Sequence, residues 1–197
     1  VIDDRKKILI LFSSPHPDVS AIKESLENND QYEVDAKWIS ESSLDLNNLL
    51  NINNYDLLIL HQLPSLDKFI DLDLNSLNTP IWYIIGANTN FKKLNNIQDF
   101  VNFNEKNNSF DYYNVALNKS FNSFLISDSL ANFLALSSPF YIPSSSLPLT
   151  KMANVLLTKK IGSISTNEPL MFFKNGKYNT AFLLGEGPFR WRLNDTY

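Results

Sequence analysis

The chain contains no cysteine. Thiol nucleophiles, disulfides, zinc ribbons and thiolate-held iron–sulfur clusters are therefore excluded, whichever redox compartment these residues occupy. Glycine is scarce, at 5 residues in 197, and none of it builds a phosphate loop, a dinucleotide fingerprint or a Gly-x-Ser-x-Gly elbow. Phosphate cofactors are disfavoured on that ground, and no cofactor is expected. An excess of positive charge is missing too. The net charge is −4, the pI is about 5.1, and Lys and Arg are scattered rather than gathered in a stripe, which argues against a nucleic-acid partner. No window approaches the roughly 18 uninterrupted apolar residues of a membrane-spanning helix. The first residues, Val1 to Lys7, carry charges where a signal peptide has its apolar stretch. The chain opens on Val rather than Met. It reads as a soluble piece excised from a larger protein, so that any membrane contact is made through segments outside it.

What is present is ordinary globular material. Hydrophobic residues make up 44%, aromatics 13% and charged residues 19%, far from the composition of a disordered chain. A length of 197 residues can bury a substantial core without metals or disulfides, and residues 1–197 are expected to form one domain. Asparagine is abundant, often in pairs such as Asn28-Asn29 and Asn53-Asn54, and suits turns and caps.

The first half punctuates itself clearly. Lys7 to Phe12 is a continuous apolar run of the kind buried on both faces of a parallel sheet. Ser13 to Pro17 breaks it, Asp18 is a candidate N-cap, and Val19, Ile22 and Leu26 fall at helical spacing. Tyr32 to Ile39 alternates, as a half-buried strand near an edge does. Asp56 to His61 predicts a second core strand stopped by Pro64, residues 65–77 a short helix, and Ile81 to Ile85 a third apolar strand closed by Gly86. Strands alternating with helices predict an α/β fold with a doubly wound, mostly parallel sheet. The second half is less regular: Phe91 to Phe103 reads as helix, while Phe110 to Leu117, Phe121 to Ile126 and Leu130 to Tyr141 read as short strands or extended loops. Val155 to Leu157 resembles a strand. Pro169 to Phe173, the turn signal Asn175-Gly176 and Tyr178 to Leu184 predict a C-terminal antiparallel hairpin.

In open α/β sheets, ligands bind beyond the carboxyl ends of the strands. The polar residues here fall in those loops: His16 and Asp18 after the first strand, His61 and Gln62 after the second core strand, Asn88 after the third, and Glu186, Arg190 and Arg192 after the last. These seven, Gln62 aside, are the candidate ligand- or partner-binding residues. Each also has a purely architectural reading. Asp18 suits a helix cap, His16 between two prolines can bond a neighbouring loop, His61 can be a satisfied core histidine, and Asn88 is an ordinary turn residue. Gly185 to Arg192 is the most unusual stretch. Trp191 between arginines suits a recognition surface, or equally a terminal helix packing Phe189 and Trp191 on the sheet.

Ser14-Pro15-His16-Pro17-Asp18 also resembles the opening P-H-P-D-D-E motif of the zinc-dependent de-N-acetylases. The resemblance covers only that loop; the alternative expectation it prompts is a metal-dependent hydrolase using His16, Asp18, His61 and Glu186 around a divalent metal. The departures are large: Val19 stands where that family has its second acid, Ser20 where it has Glu, and the later His-x-x-His is absent.

Four segments taken together resemble a family of uncharacterised Bacteroidetes membrane proteins: Ser13 to Asp18, Tyr55 to Pro64, Pro80 to Gly86, and Gly185 to Arg192. The resemblance implies a class I glutamine amidotransferase-like domain, with a flavodoxin-like or glutamine amidotransferase-like sheet, on the extracytoplasmic side of a membrane-anchored protein. Active members of the amidotransferase class use a Cys on a strand-to-helix elbow, and this chain has none. A degenerate, non-catalytic domain follows, binding a neighbouring domain of the same polypeptide or a protein partner.

Overall fold

The apolar run at Lys7 lies inside the parallel half of the sheet, one strand from its edge. In the computed structural model, which describes residues 5–39, 43–44, 52–67, 69–70, 77–103, 109–144, 153–174 and 180–194, it forms β1 (Lys6–Phe12). Leu9, Ile10 and Leu11 are fully buried there, as a strand covered on both faces requires. The chain continues through α1 (Pro17–Glu27), β2 (Tyr32–Trp38), a two-residue β3 (Ser43–Leu44), β4 (Leu57–His61), a two-residue β5 (Phe69–Ile70) and β6 (Ile81–Ile85). The second half contributes α2 (Phe91–Ile97), β7 (Phe110–Leu117), α3 (Asp128–Leu136), β8 (Phe140–Pro143), β9 (Asn154–Ile161), β10 (Ile164–Lys174), β11 (Thr180–Leu184) and α4 (Pro188–Asn194).

Nine strands form one sheet in the order β2-β1-β4-β6-β11-β10-β9-β7-β8, while β3 and β5 pair separately. The pairings from β2 to β11 are parallel, and every pairing from β11 to β8 is antiparallel. The expected doubly wound, mostly parallel sheet is therefore wrong: this is a mixed sheet, and about half of it runs antiparallel. A doubly wound fold also needs a helix in each crossover. Among the described residues, the connection from β2 to β4 holds β3 and a single helical turn at Ile52–Asn54, and that from β4 to β6 holds bends and β5. The helix expected over 65–77 is not formed where it can be seen, since Ser65 bridges Thr89 and Phe69–Ile70 is extended.

Local chemistry explains the other departures. The helix expected to reach Phe103 stops at Ile97, because the Gln98 carboxamide takes over the backbone: its Oε1 accepts from the amides of Phe100 and Val101, and its Nε2 donates to the Val101 carbonyl. The stretch read as strand or loop from Leu130 is instead α3, started by Ser127, whose hydroxyl accepts from the Leu130 amide. The Asn175-Gly176 turn lies outside the described residues. β10 and β11 on either side of it pair antiparallel, and the register of β10 against β9 shifts around Pro169, which cannot donate to the ladder.

Two features set up the functional edge. Tyr83, Phe182 and Phe172 sit side by side on β6, β11 and β10, with ring centroids 5.0 and 5.1 Å apart, so a buried aromatic ladder fastens the antiparallel half to the parallel half. At the far side β8 returns to the start: Tyr141 and Glu186 exchange both backbone hydrogen bonds at 2.9 Å. The antiparallel half thus curls back over the segment that leaves β11.

Candidate functional site

The strands β1, β4, β6 and β11 run parallel and end level with one another, at Phe12, His61, Ile85 and Leu184. Their exit loops therefore meet at one edge. β1 lies between β2 and β4, so the strand order changes direction beside it.

His16 enters first. Pro17 forces it into an extended conformation (φ −146°, ψ 140°), and from there its Nδ1 accepts the Asp18 amide at 3.1 Å. His16, not Asp18, is the N-cap of α1. That bond assigns the ring's proton to Nε2, which faces Glu186 Oε2 at 3.3 Å.

Asp18 caps a different helix. It is fully buried, its Oδ2 accepts the Gly187 amide at 2.9 Å and its Oδ1 accepts the Phe189 amide at 3.0 Å. Pro188 at the first position of α4 has no amide to offer, so the carboxylate takes those on either side of it. Gly187 adopts φ +130°, which only glycine reaches without strain, and this turns its N–H toward Asp18. Burial alone would raise the pKa of Asp18. The neighbouring His61, the Phe189 and Gly187 amides and the charge of His16 outweigh it and hold the carboxyl below its ordinary value.

Glu186 closes the opposite side. Its Oε1 accepts the Ala87 amide, while Oε2 faces His16. Burial would raise this carboxyl as well, but His16 and the Ala87 amide lower it. For His16 the balance runs the other way: burial lowers its pKa, and Glu186 and Asp18 more than restore it, so the ring is more basic than usual. Protonation at Nδ1 exchanges the Asp18 amide bond for an ion pair with Asp18 Oδ2, 3.4 Å away.

Gln62 and Gly86 pack the floor. Gln62 is buried at a positive φ of 54°, and its Oε1 accepts the Asn88 amide at 3.1 Å. A Cβ on Gly86 would stand 2.3 Å from Glu186 Oε1 and 2.6 Å from the Gln62 carboxamide, so glycine is what admits both side chains. Asn88 is exposed beside Ser14, its Nδ2 3.5 Å from Ser14 Oγ. A small hollow of about 100 Å³ opens there between Ser13, Ser14, Ser65, Asp67 and Asn88. Roomier hollows, of about 460–520 Å³, lie away from the cluster.

His61 differs from its neighbours. It is buried as a core histidine would be, at 1% exposure, yet neither ring nitrogen has a hydrogen-bond partner among the described residues. Its ring lies 4.9 Å from that of His16, and its Nε2 is 3.9 Å from Asp18 Oδ2, beyond hydrogen-bond reach.

The structure therefore brings His16, Asp18, His61, Asn88 and Glu186 to one edge. Arg190 lies beside them with its guanidinium over the rings of Phe189 and Tyr112, at 4.9 and 5.1 Å. Tyr112, 55% exposed on β7, carried no signal in the sequence and reaches the site only because the antiparallel half curls over. Arg192 does not belong there: it is exposed and pairs with Glu24 on α1. Trp191 is a packing residue, stacked on Phe140 at 4.5 Å with its Nε1 donating to the Ser138 carbonyl.

No protein-family model and no curated protein matches the chain. Among solved structures, that of PurLQS from Thermotoga maritima is similar over 97% of this chain and 96% of that one, with 13% identity and a TM-score of 0.46.

Proposed function

We propose that this chain is a non-catalytic binding or scaffolding domain of a larger protein, contacting a neighbouring domain of that polypeptide or a protein partner along the carboxyl edge of its parallel strands. One observation carries the reading: the polar side chains at that edge are engaged by the protein's own backbone. Asp18 accepts two amides, Glu186 and Gln62 one each, and His16 a fifth, that of Asp18. A general base must be able to reach a substrate proton. Carboxylates held in this way fix loops and a helix end instead, giving a rigid rim with Asn88 and Tyr112 exposed upon it.

The reading accommodates the resemblance carried by Ser13 to Asp18, Tyr55 to Pro64, Pro80 to Gly86 and Gly185 to Arg192: an amidotransferase-like domain without its thiol, in the extracytoplasmic part of a membrane-anchored Bacteroidetes protein. Hydrolysis around a divalent metal is the rival. It needs an acid placed to act as base, whereas Asp18 is buried against two backbone amides and Glu186 holds the Ala87 amide and faces His16.

Hydrogen exchange tests the proposal by comparing the isolated domain with the same domain inside the full-length protein. Amides of residues 13–16, 62–66 and 86–90 should exchange more slowly in the full-length protein, and hydrolysis of glutamine or N-acetylated amino sugars should stay at background in both. Equal exchange at the rim, or turnover above background, overturns the reading.

A further inference from the structure

An unpaired polar atom in a protein interior costs about 1–3 kcal/mol, and a neutral imidazole has both a donor and an acceptor to satisfy. Among the described residues His61 has neither nitrogen satisfied at 1% exposure, although the neighbouring His16, Asp18 and Glu186 each have a partner. An unmet group of this kind calls for an ion or a solvent molecule. The surroundings favour an ion. His16, Asp18 and His61 each present one ligand atom, and these atoms all lie within 4.8 Å of one another.

We infer that His16, Asp18 and His61 form a binding site for a divalent transition-metal ion of the zinc class. Two imidazoles and one carboxylate suit zinc, cobalt and their neighbours, whereas magnesium and calcium prefer oxygen throughout. Tetrahedral zinc, with bonds of roughly 2.0–2.1 Å, places its ligand atoms about 3.3–3.4 Å apart. Asp18 Oδ2 is 3.4 Å from His16 Nδ1 and 3.9 Å from His61 Nε2, so the first pair already has the spacing and the His61 ring has to move inward to join it.

Two of the three ligands have the outer contacts that a metal site uses, and His61 Nδ1 has none among the described residues. A ligating histidine ordinarily gives its second ring N–H to a carboxylate, which fixes its tautomer and orientation. His16 Nε2 already faces Glu186 Oε2 at 3.3 Å, leaving Nδ1 directed inward. Asp18 is oriented by the Gly187 and Phe189 amides, and an ionised carboxylate keeps further lone pairs for a metal. One existing bond must yield, because the lone pair of His16 Nδ1 now accepts the Asp18 amide. His16, with 19% of its side chain exposed, is also the way in, since the other two are closed to solvent. The inference deepens the reading of this rim as a binding surface and rests on it: the ion braces the loops, and no acid is placed to drive hydrolysis.

Cobalt titration into metal-free, untagged protein tests it. One equivalent of Co²⁺ should bring up visible d–d absorption, one equivalent of Zn²⁺ should abolish it, and the Asp18 amide resonance should move as its acceptor is lost. His61→Leu removes the unpaired nitrogens without opening a hole. It should fold with undiminished thermal stability and bind at least about 100-fold more weakly, while Glu186→Gln, a positioning change, should cost about 10–100-fold with stoichiometry kept. Absence of a one-to-one complex in folded protein, or unchanged affinity in folded His61→Leu, overturns the site. Turnover by the loaded protein leaves the site standing and removes the non-catalytic reading instead.

Discussion

Replacing Asp18 by Asn changes one oxygen to an amide nitrogen and removes one charge, and its consequences follow from two hydrogen bonds. The carboxylate holds the Gly187 amide with one oxygen and the Phe189 amide with the other. An asparagine can accept only one of them. The other then faces an NH₂ group, donor against donor, in a fully buried position. Hydrogen bonds to a charged acceptor contribute about 1.5–3 kcal/mol, and a stranded buried amide costs about 1–3 kcal/mol. Relief from burying a charge offsets part of this. The sign is nevertheless fixed, because the folded state lowers the Asp18 pKa and so prefers the ionised form to a neutral one.

The expected loss is about 2–4 kcal/mol. For a chain of this size each kcal/mol moves the melting temperature by roughly 2–4 °C, so Asp18→Asn should melt roughly 5–15 °C lower. Thermal unfolding followed by circular dichroism at neutral pH measures it, and hydrogen exchange should show α4 loosening first. A seven-residue helix such as α4 has little stability of its own and depends on what holds it. A melting temperature within about 2 °C of the parent, with α4 exchange unchanged, would refute the claim that Asp18 fastens α4.

Other consequences are quicker to state. Asp18 and Glu186 are depressed from their ordinary values of 3.8 and 4.5, so their contribution is present above those values and disappears as pH falls through the lower folded ones. His16 is raised from 6.5, so its contribution is full below that pH and disappears as pH rises through the folded value. Urea midpoints against pH should peak between these limits, and an acid limb unchanged in Glu186→Gln would contradict the assignment. Gly86→Ala should destabilise by about 1–3 kcal/mol through overpacking against Glu186 and Gln62; a neutral urea curve would show that the approach is not close. Trp191→Ala should cost about 2–4 kcal/mol through lost packing on Phe140, whereas Arg192→Ala, breaking an exposed pair with Glu24, should cost less than about 1 kcal/mol. Equal effects in these two variants would argue against their different placement.

The parallel strands were legible because each is an apolar run ended by a breaker, and Lys7 to Phe12, Asp56 to His61 and Ile81 to Ile85 all became strands. Their common direction then put His16, His61, Asn88 and Glu186 on one edge. The second half was legible only in part: Val155 to Leu157 and the hairpin of Pro169 to Phe173 with Tyr178 to Leu184 became β9, β10 and β11, but their extent and their joining into one sheet with β7 and β8 did not show. β10 carries Pro169 in its middle, and β7 exposes Asp111 and Tyr112, so neither shows the clean period of a strand. Helix ends were misplaced where a side chain competed with the backbone, as Gln98 does after α2.

Asp18 shows why residue preference and site geometry part company. A carboxylate just after a loop is a sound sign of a helix cap, yet the helix it caps begins at Pro188, and its first partner amide lies 169 residues further along the chain. His16, an unusual cap, takes the local position because Pro17 fixes it in the extended conformation that aims Nδ1 at the Asp18 amide. Local signals thus identified the kind of bond and missed its address. The same separation leaves His61 without a partner among the described residues: the carboxylate and carboxamide beside it are matched to amides that follow β6 and β11, and the metal ion proposed above would supply its ring with one.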